Sequence, residues 1–458
     1  MTDKLESYRK RTEEEYCRTR KESKRLYDEA CRFLPGGDTR TATFFYPYPH
    51  FMLRGKGAYM YDADGNKLMD FQNNYTSLIH GHAHGPTVEA IRDQAVKGTA
   101  YTAPFENQTK LAELIVSRFP GVDKLRFTNS GTEANMHALR LARAYTGRAK
   151  VIKTEGGYHG TTDVFEASVD PNLKIAGSGD DMKTVAENRG VSENALKDVL
   201  VVPFNDADRT EKIMKEHRND TACMIIEPVM ASAGQIVPEM GYLRALREMT
   251  ERYGILLIFD EVVTGRLSTG GAQKYFGITP DITTMGKIIG GGTPVGAFGG
   301  RDDIMRYYDP REKKVYHSGT FNGNALTMAA GLAALRDYDE NKAAYVNDLG
   351  EKFRKGAEKV FEETGIHMIM NGTGSLCNTI FTDSPVKNYR DMAGSHEELN
   401  KLLFMTLLLK GVFNAERGMF SMSTAMTMAD IETALDRLRE SLYEMKEVIV
   451  QEAPELIV

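Results

Sequence analysis

From about residue 87 to about 335, short apolar runs alternate with longer stretches of helical composition. No other feature of this 458-residue chain constrains its fold as tightly. The runs are Leu125 to Thr128, Val151 to Lys153, Cys223 to Glu227 and Ile255 to Phe259. Helical stretches such as Thr132 to Tyr145 and Tyr242 to Tyr253 separate them. A run that is apolar at nearly every position reads as a strand covered on both faces. Strands separated by helices read as a parallel sheet with crossover connections, so an α/β domain is expected.

The ends of the chain read differently. Residues 4–33 have helical composition with mixed-sign charges, and Pro35-Gly36-Gly37 breaks them. Residues 57–71 read as a hairpin about Asp64-Gly65-Asn66, where Gly65 can supply a positive φ. After about 336 come polar-patterned helices and a few short strands, interrupted at Gly372-Thr373-Gly374. The expected organisation is an N-terminal segment (1–80) packing with the small domain, a large domain (81–335) and a C-terminal small α+β domain (336–458).

Bulk properties remove whole classes of function. The formal net charge is −6 with no basic stripe, so nucleic acid is not an expected partner. Cys17, Cys31, Cys223 and Cys377 form no C-x-x-C unit, which suggests neither a zinc site nor a disulfide framework. Free thiols fit a reducing cytosol, and a cytoplasmic protein is expected. The longest apolar runs, such as Leu402 to Leu409, are too short to span a bilayer. The charged N-terminus does not read as a leader peptide.

Four local patterns carry chemistry. Thr128-Asn129-Ser130-Gly131-Thr132-Glu133 joins a strand to a helix, with Ser130 and Glu133 in capping-box spacing. The N–H groups of Gly131 and Thr132 would meet an anion there, although an ordinary capped helix has the same sequence. Phe259-Asp260-Glu261-Val262 closes an apolar strand, and a carboxylate there points into the ligand crevice of an open sheet. Asp260 could hold a pyridinium N–H and Val262 could pack on a ring, or the acid could simply cap a helix. Lys287 lies between a strand and the run Gly290-Gly291-Gly292, without an acid within three residues. A shielded lysine of lowered pKa can form an imine. Tyr158, in Gly156-Gly157-Tyr158-His159-Gly160, could stack on a planar ring or be an incidental turn residue.

Together these stretches resemble class III, fold type I aminotransferases dependent on pyridoxal 5′-phosphate. The resemblance rests on S-G-T-E-A at 130–134, Y-H-G at 158–160, E-P at 227–228, F-D-E-V-V-T-G-R at 259–266, T-M-G-K-I-I-G-G-G at 284–292 and H-S-G-T-F-N-G-N at 317–324. It implies that Lys287 is the imine lysine and proton shuttle, and that Asp260 is the partner of the pyridine nitrogen. It further implies Val262 and Tyr158 on the two ring faces, and Ser130, Gly131 and Thr132 at the phosphate. Glu227 would stand near the cofactor. Thr320 would reach the phosphate of a neighbouring subunit, which implies a homodimer with shared active sites.

Within the class, the likeness runs first to β-phenylalanine aminotransferases and next to glutamate-1-semialdehyde aminomutases. D-T-R-T-A at 38–42, F-F-Y-P-Y-P-H at 44–50 and A-E-R-G-M-F at 415–420 carry the first. They imply that Arg40 and Arg417 bind substrate carboxylates, a task that a bidentate guanidinium performs well. Tyr75 is a candidate pocket wall. Asn324-Ala325 departs from the Asn-Pro of many class members. The expected reaction moves an amino group from a small, β-type amino acid to a 2-oxo acid by ping-pong chemistry. An aminomutase or a racemase on the same scaffold is the alternative. His80, His82 and His84 alternate in H-x-H-x-H without an acid or cysteine beside them, so no metal is expected.

Overall fold

The computed structural model describes residues 3–458. The N-terminal helical stretch is two helices, Asp3–Thr19 and Lys21–Ala30, rather than one. Arg20 breaks it, with φ −134° and ψ 52°. Its side chain is buried, with Nε 3.5 Å from Asp62 Oδ2, so the chain turns to bring the guanidinium to its partner. Outward, Lys24–Asp28, Arg25–Glu22 and Arg25–Glu29 form the i,i+3 and i,i+4 pairs of a solvated face.

Three antiparallel strands follow: β1 (Met52–Lys56), β2 (Tyr59–Asp62) and β3 (Lys67–Asp70). Gly65 turns the hairpin at φ +87°. The chain then builds a seven-stranded sheet. Its strands are β4 (Lys124–Thr128), β5 (Lys150–Thr154), β6 (Val199–Val202), β7 (Thr221–Ile226), β8 (Leu256–Asp260), β9 (Ile282–Gly286) and β10 (Gly296–Gly300). The spatial order is β4-β10-β9-β8-β7-β5-β6, and only β10 runs antiparallel to its neighbours. Its sequence, Gly-Ala-Phe-Gly-Gly, carries no strand pattern. Glycine is needed there because a Cβ at Gly296 would stand 2.0 Å from the Ser130 carbonyl oxygen.

Residues in β7 and β8 divide by parity. Cys223, Ile225, Leu256 and Ile258 pack with Ala134, Ala138 and Leu141 of the helix Gly131–Thr146. Met224, Ile226, Leu257 and Phe259 pack with Leu243, Leu246 and Met249 of the helix Tyr242–Tyr253. This period of two explains the unbroken apolar runs, since both faces are buried. It also sends Asp260 to the face covered by the helix Gly131–Thr146.

Beyond the helices Ala325–Asp337 and Glu340–Thr364 lie β11 (Ile369–Asn371), β12 (Leu376–Ile380), β13 (Val412–Phe413) and β14 (Met419–Ser421). Strands β11, β12 and β14 form one sheet, while β13 pairs parallel with β3. Asn324 caps the helix Ala325–Asp337, its Oδ1 accepting from Leu326 N and Thr327 N, so no proline is needed after it. No helix among the described residues is long and apolar enough to cross a membrane.

Candidate active site

The carboxyl ends of β4, β5, β7, β8 and β9 open on one edge of the sheet, and the chain places a distinct group at each. Ser130 to Thr132 follow β4, Tyr158 follows β5, Glu227 follows β7, Asp260 ends β8 and Lys287 follows β9. Open α/β sheets bind ligands along that edge.

The anion cradle lies after β4. Ser130 Oγ accepts the Glu133 N–H at 3.1 Å and caps the helix. Glu133 does not complete the expected box on Ser130; its Oε2 accepts from Asn129 N at 2.9 Å, one residue earlier. The N–H groups of Gly131 and Thr132 find no acceptor among the described residues and remain at the positive end of the helix. Val262 closes the cradle from the side. A Cβ at Gly131 would stand 3.0 Å from Val262 Cγ2, and one at Gly286 would stand 3.4 Å from Val262 Cγ1.

Asp260 is buried and receives three donors. Asn135 Nδ2 reaches Oδ2 at 2.7 Å, His159 Nδ1 reaches the same oxygen at 2.8 Å, and Val262 N reaches Oδ1 at 3.1 Å. The neighbouring acid Glu261 does other work. Its carboxylate accepts from Ala272 N, Gln273 N and Thr264 Oγ1 and holds the next helix in place.

Lys287 stands in a left-handed conformation, φ +48°, at the end of β9. Its Nζ has no hydrogen-bond partner among the described residues. Desolvation in the crevice lowers its pKa below the ordinary lysine range, against the opposing charges of Asp260 and Glu227, while Arg417 adds to the lowering. Glu227 accepts from Tyr158 N at 3.0 Å, Ala231 N at 3.1 Å and Ser232 Oγ at 3.0 Å. Burial raises its pKa. It thus pins the backbone of Tyr158, a residue that is 45% exposed.

Arg40 and Arg417 both lie near Tyr75. The Arg417 guanidinium carbon lies 5.9 Å from the centre of the Tyr75 ring. Burial raises the Tyr75 pKa, and the charges of Arg417 and Arg40 oppose it. Arg40 Nη1 donates to Asn74 Oδ1 at 2.9 Å, and Tyr75 donates its hydroxyl proton to the Ala42 carbonyl. Tyr75 belongs to an unusual turn. Asn73, Asn74, Tyr75 and Thr76 all have left-handed φ values of +50°, +48°, +52° and +73°. Non-glycine residues there cost about 1–3 kcal/mol each and persist where surrounding contacts impose them. Asp70 Oδ1 accepts from Asn73 N at 2.8 Å, and Asn73 Nδ2 donates to the Ser421 carbonyl at 2.8 Å. A cleft of about 680 Å³ beside the turn is lined by Arg40, Gln72, Asn74, Leu78, His82 and Gly292. Gly292 belongs to the glycine run that follows Lys287.

Thr320 is exposed and lies on a loop that Asn322 joins to the anion cradle, its Oδ1 accepting from Asn129 Nδ2 at 2.8 Å. Tyr316 and Phe321 on the same loop are exposed aromatics, 81% and 60%.

The model of the class-III aminotransferase family matches residues 45–442. The chain belongs to the class-III aminotransferases. It is 39% identical over 426 residues to a glutamate-1-semialdehyde 2,1-aminomutase of Methanosphaera stadtmanae, covering 91% of this chain and 98% of that one. An omega-transaminase from Sphaerobacter thermophilus is 40% identical with a TM-score of 0.89, covering 93% and 98%. A β-phenylalanine aminotransferase from Variovorax paradoxus is 34% identical with a TM-score of 0.89, covering 97% and 99%. The large, mostly parallel sheet is the fold type I arrangement.

In this class-III enzyme, sequence reasoning overlooked several residues that shape the site. Asn135 lies one helical turn beyond Gly131, a position that faces the same crevice. His159 stands beside Tyr158, and nothing local in the sequence points to its bond with Asp260. Arg266 ends the F-D-E-V-V-T-G-R stretch, yet its side chain is fully buried, which no local pattern signals. The acid missing beside H-x-H-x-H comes from Asp337. His84 Nε2 bonds Asp337 at 3.0 Å, and His80 Nδ1 lies 3.7 Å from it. The two rings stack at 4.3 Å and 17°, and the ligand atoms of His80, His84 and Asp337 lie within 4.8 Å of one another. His80 also bonds the Ala334 carbonyl and Thr424, and His82 bonds Asp70.

Proposed function

We propose that this class-III enzyme is a transaminase that takes an amino group from a small β-amino acid and passes it to a 2-oxo acid. The observation that carries the reading is the pair of guanidinium groups, Arg40 and Arg417, gathered about Tyr75. Arg417 is also electrostatically coupled to Lys287.

The cofactor is pyridoxal 5′-phosphate, as in a 35% identical transaminase with PLP bound. The donor set of this chain suits it: free N–H groups at a helix N-terminus, glycines where a Cβ would crowd Val262, a buried carboxylate and an unpaired amine. When bound, it supplies an electron sink for charge released at the substrate carbon. Ser130, Gly131 and Thr132 would hold its phosphate, Asp260 its ring nitrogen, and Tyr158 and Val262 the two faces of the ring. Asn135 and His159 keep the Asp260 carboxylate aimed, and Glu227 fixes the Tyr158 backbone.

Lys287 Nζ, with its lowered pKa, takes the proton from the substrate carbon and later returns one to the other side of the transfer. Arg40 and Arg417 grip the carboxylates of the amino acid and then of the 2-oxo acid. Two substrates using one site in turn gives ping-pong kinetics. Exposed Thr320, between Tyr316 and Phe321, suits a homodimer in which each subunit completes the other's phosphate site. Unpaired Cys17, Cys31, Cys223 and Cys377 suit a cytoplasmic enzyme.

The test is amine transfer from 3-amino-3-phenylpropanoate with pyruvate or 2-oxoglutarate supplied or withheld. New amino acid formed only with the acceptor supports the reading. A second reading, a glutamate-1-semialdehyde type aminomutase, is favoured by relatives such as the Methanosphaera stadtmanae protein. Isomerisation of a single substrate without acceptor would end the first reading, movement of the amino group marking an aminomutase and inversion alone a racemase.

A further inference from the structure

Three arginines among the described residues are buried: Arg20, Arg266 and Arg354. Arg20 faces Asp62 and Arg354 faces Glu351. Arg266 is more deeply buried than either, and none of the ion pairs among the described residues includes it. Burial lowers its pKa to about 10, with Tyr338 and Cys377 as the only opposing influences. A charge held this way by neutral acceptors is costly, and a neutral side chain of the same length would fill the space.

What Arg266 joins explains why it is there. It lies four residues after Val262, at the end of the loop that leaves β8. Its Nη1 donates to the Thr76 carbonyl at 3.4 Å, on the left-handed turn that carries Tyr75. Its Nη2 donates to the Met422 carbonyl, just past the strand that follows Arg417. Its Nε donates to Ser375 Oγ at 3.0 Å. Met422 N in turn donates to the Ser375 carbonyl at 3.0 Å, so these two anchors are themselves linked. One planar fork thus spans the cofactor loop, the turn that carries Tyr75 and the strand that follows Arg417.

We propose that Arg266 is a positioning residue for the substrate carboxylate: its fork sets the spacing of Tyr75 and Arg417, and its unneutralised charge biases their pocket towards anions. The proposal rests on the reading of Arg417 and Tyr75 as substrate-binding.

The experiment uses cofactor-loaded enzyme and calorimetric titration with two ligands of one shape, 3-phenylpropanoate and neutral 3-phenylpropanamide. Arg266→Gln is expected to weaken binding of the acid by about tenfold and leave the amide unchanged, with an unaltered cofactor absorbance band. Ser375→Ala removes one acceptor without touching the charge, and is expected to shift acid binding in the same direction by less. It serves if Arg266→Gln fails to fold. Equal weakening of acid and amide, or loss of the cofactor band, would reduce Arg266 to a structural strut. Unchanged acid binding in both variants would remove any role. Wild-type enzyme that binds acid no better than amide would instead refute the carboxylate-clamp reading beneath the proposal. Arg417→Ala, run in parallel, separates the two failures.

Discussion

Asn135 Nδ2 lies 2.7 Å from Asp260 Oδ2 and 3.0 Å from the His159 carbonyl oxygen, so one amide braces the carboxylate against the turn that carries Tyr158. Replacing it with alanine leaves Oδ2 with His159 alone. A hydrogen bond to a charged group contributes about 1.5–3 kcal/mol, so Asn135→Ala should lower kcat/KM by roughly 10- to 150-fold. Steady-state kinetics on cofactor-loaded protein check this; an unchanged kcat/KM would show that His159 and the Val262 N–H suffice.

Gly131 and Val262 should behave as a coupled pair. Alanine is a better helix former than glycine, so Gly131→Ala alone should not destabilise the helix. Its methyl group would press on Val262 Cγ2, 3.0 Å away, beside the anion cradle. Overpacking of this kind costs about 1–3 kcal/mol, and cofactor affinity should fall accordingly. Val262→Ala in the same chain should recover part of it. A double-mutant cycle on the cofactor dissociation constant gives the coupling directly.

Lys153 is fully buried in β5, with Nζ donating to the Ala167 carbonyl. Burial pushes its pKa down to about 7. Between that value and the ordinary lysine range, the unfolded chain holds a proton that the folded chain does not. Stability therefore rises with pH across this window, by at most about 1.4 kcal/mol per pH unit from this group. Denaturation of Lys153→Met from neutral to alkaline pH should show that slope removed; an identical slope in both proteins would assign it elsewhere.

Arg390 reaches across to Glu155 with Nε at 2.7 Å and Nη2 at 2.8 Å, and its Nη1 bonds the Gly177 carbonyl at 2.7 Å. Arg390→Ala would leave a buried carboxylate unpaired three residues before Tyr158. Breaking such a pair typically costs about 3–5 kcal/mol. Chemical denaturation should show the loss, while Arg390→Lys should recover only part of it because one ammonium cannot reproduce the fork.

What could be read from the sequence was chiefly local. Ile255 to Phe259 declared a buried strand because every residue is apolar, and Asp260 at its end declared a crevice. Lys287 stood out through the glycines after it. Gly296–Gly300 carried no such signal, since its strand exists through two antiparallel partners, one of which, β4, is distant in sequence. The break at Arg20 depends on Asp62, and the cluster at His80 and His84 depends on Asp337. Asn135, His159 and Arg266 owe their positions to parity and packing across the sheet. Polar partners that meet far apart in the chain leave no periodic trace, so those contacts became visible only in three dimensions.

The turn from Asn73 to Thr76 limits how this pocket can be altered. Four consecutive residues wind against the natural hand of L-amino acids, and Asn and Asp tolerate that winding better than most side chains. Thr76, β-branched at φ +73°, stands there with its carbonyl held by Arg266. A mutational library at Tyr75 would therefore be filtered first by backbone chirality and only then by fit to a ligand. The range of substrates reachable by single changes at Tyr75 is therefore narrow, and widening it requires remodelling the turn as a unit.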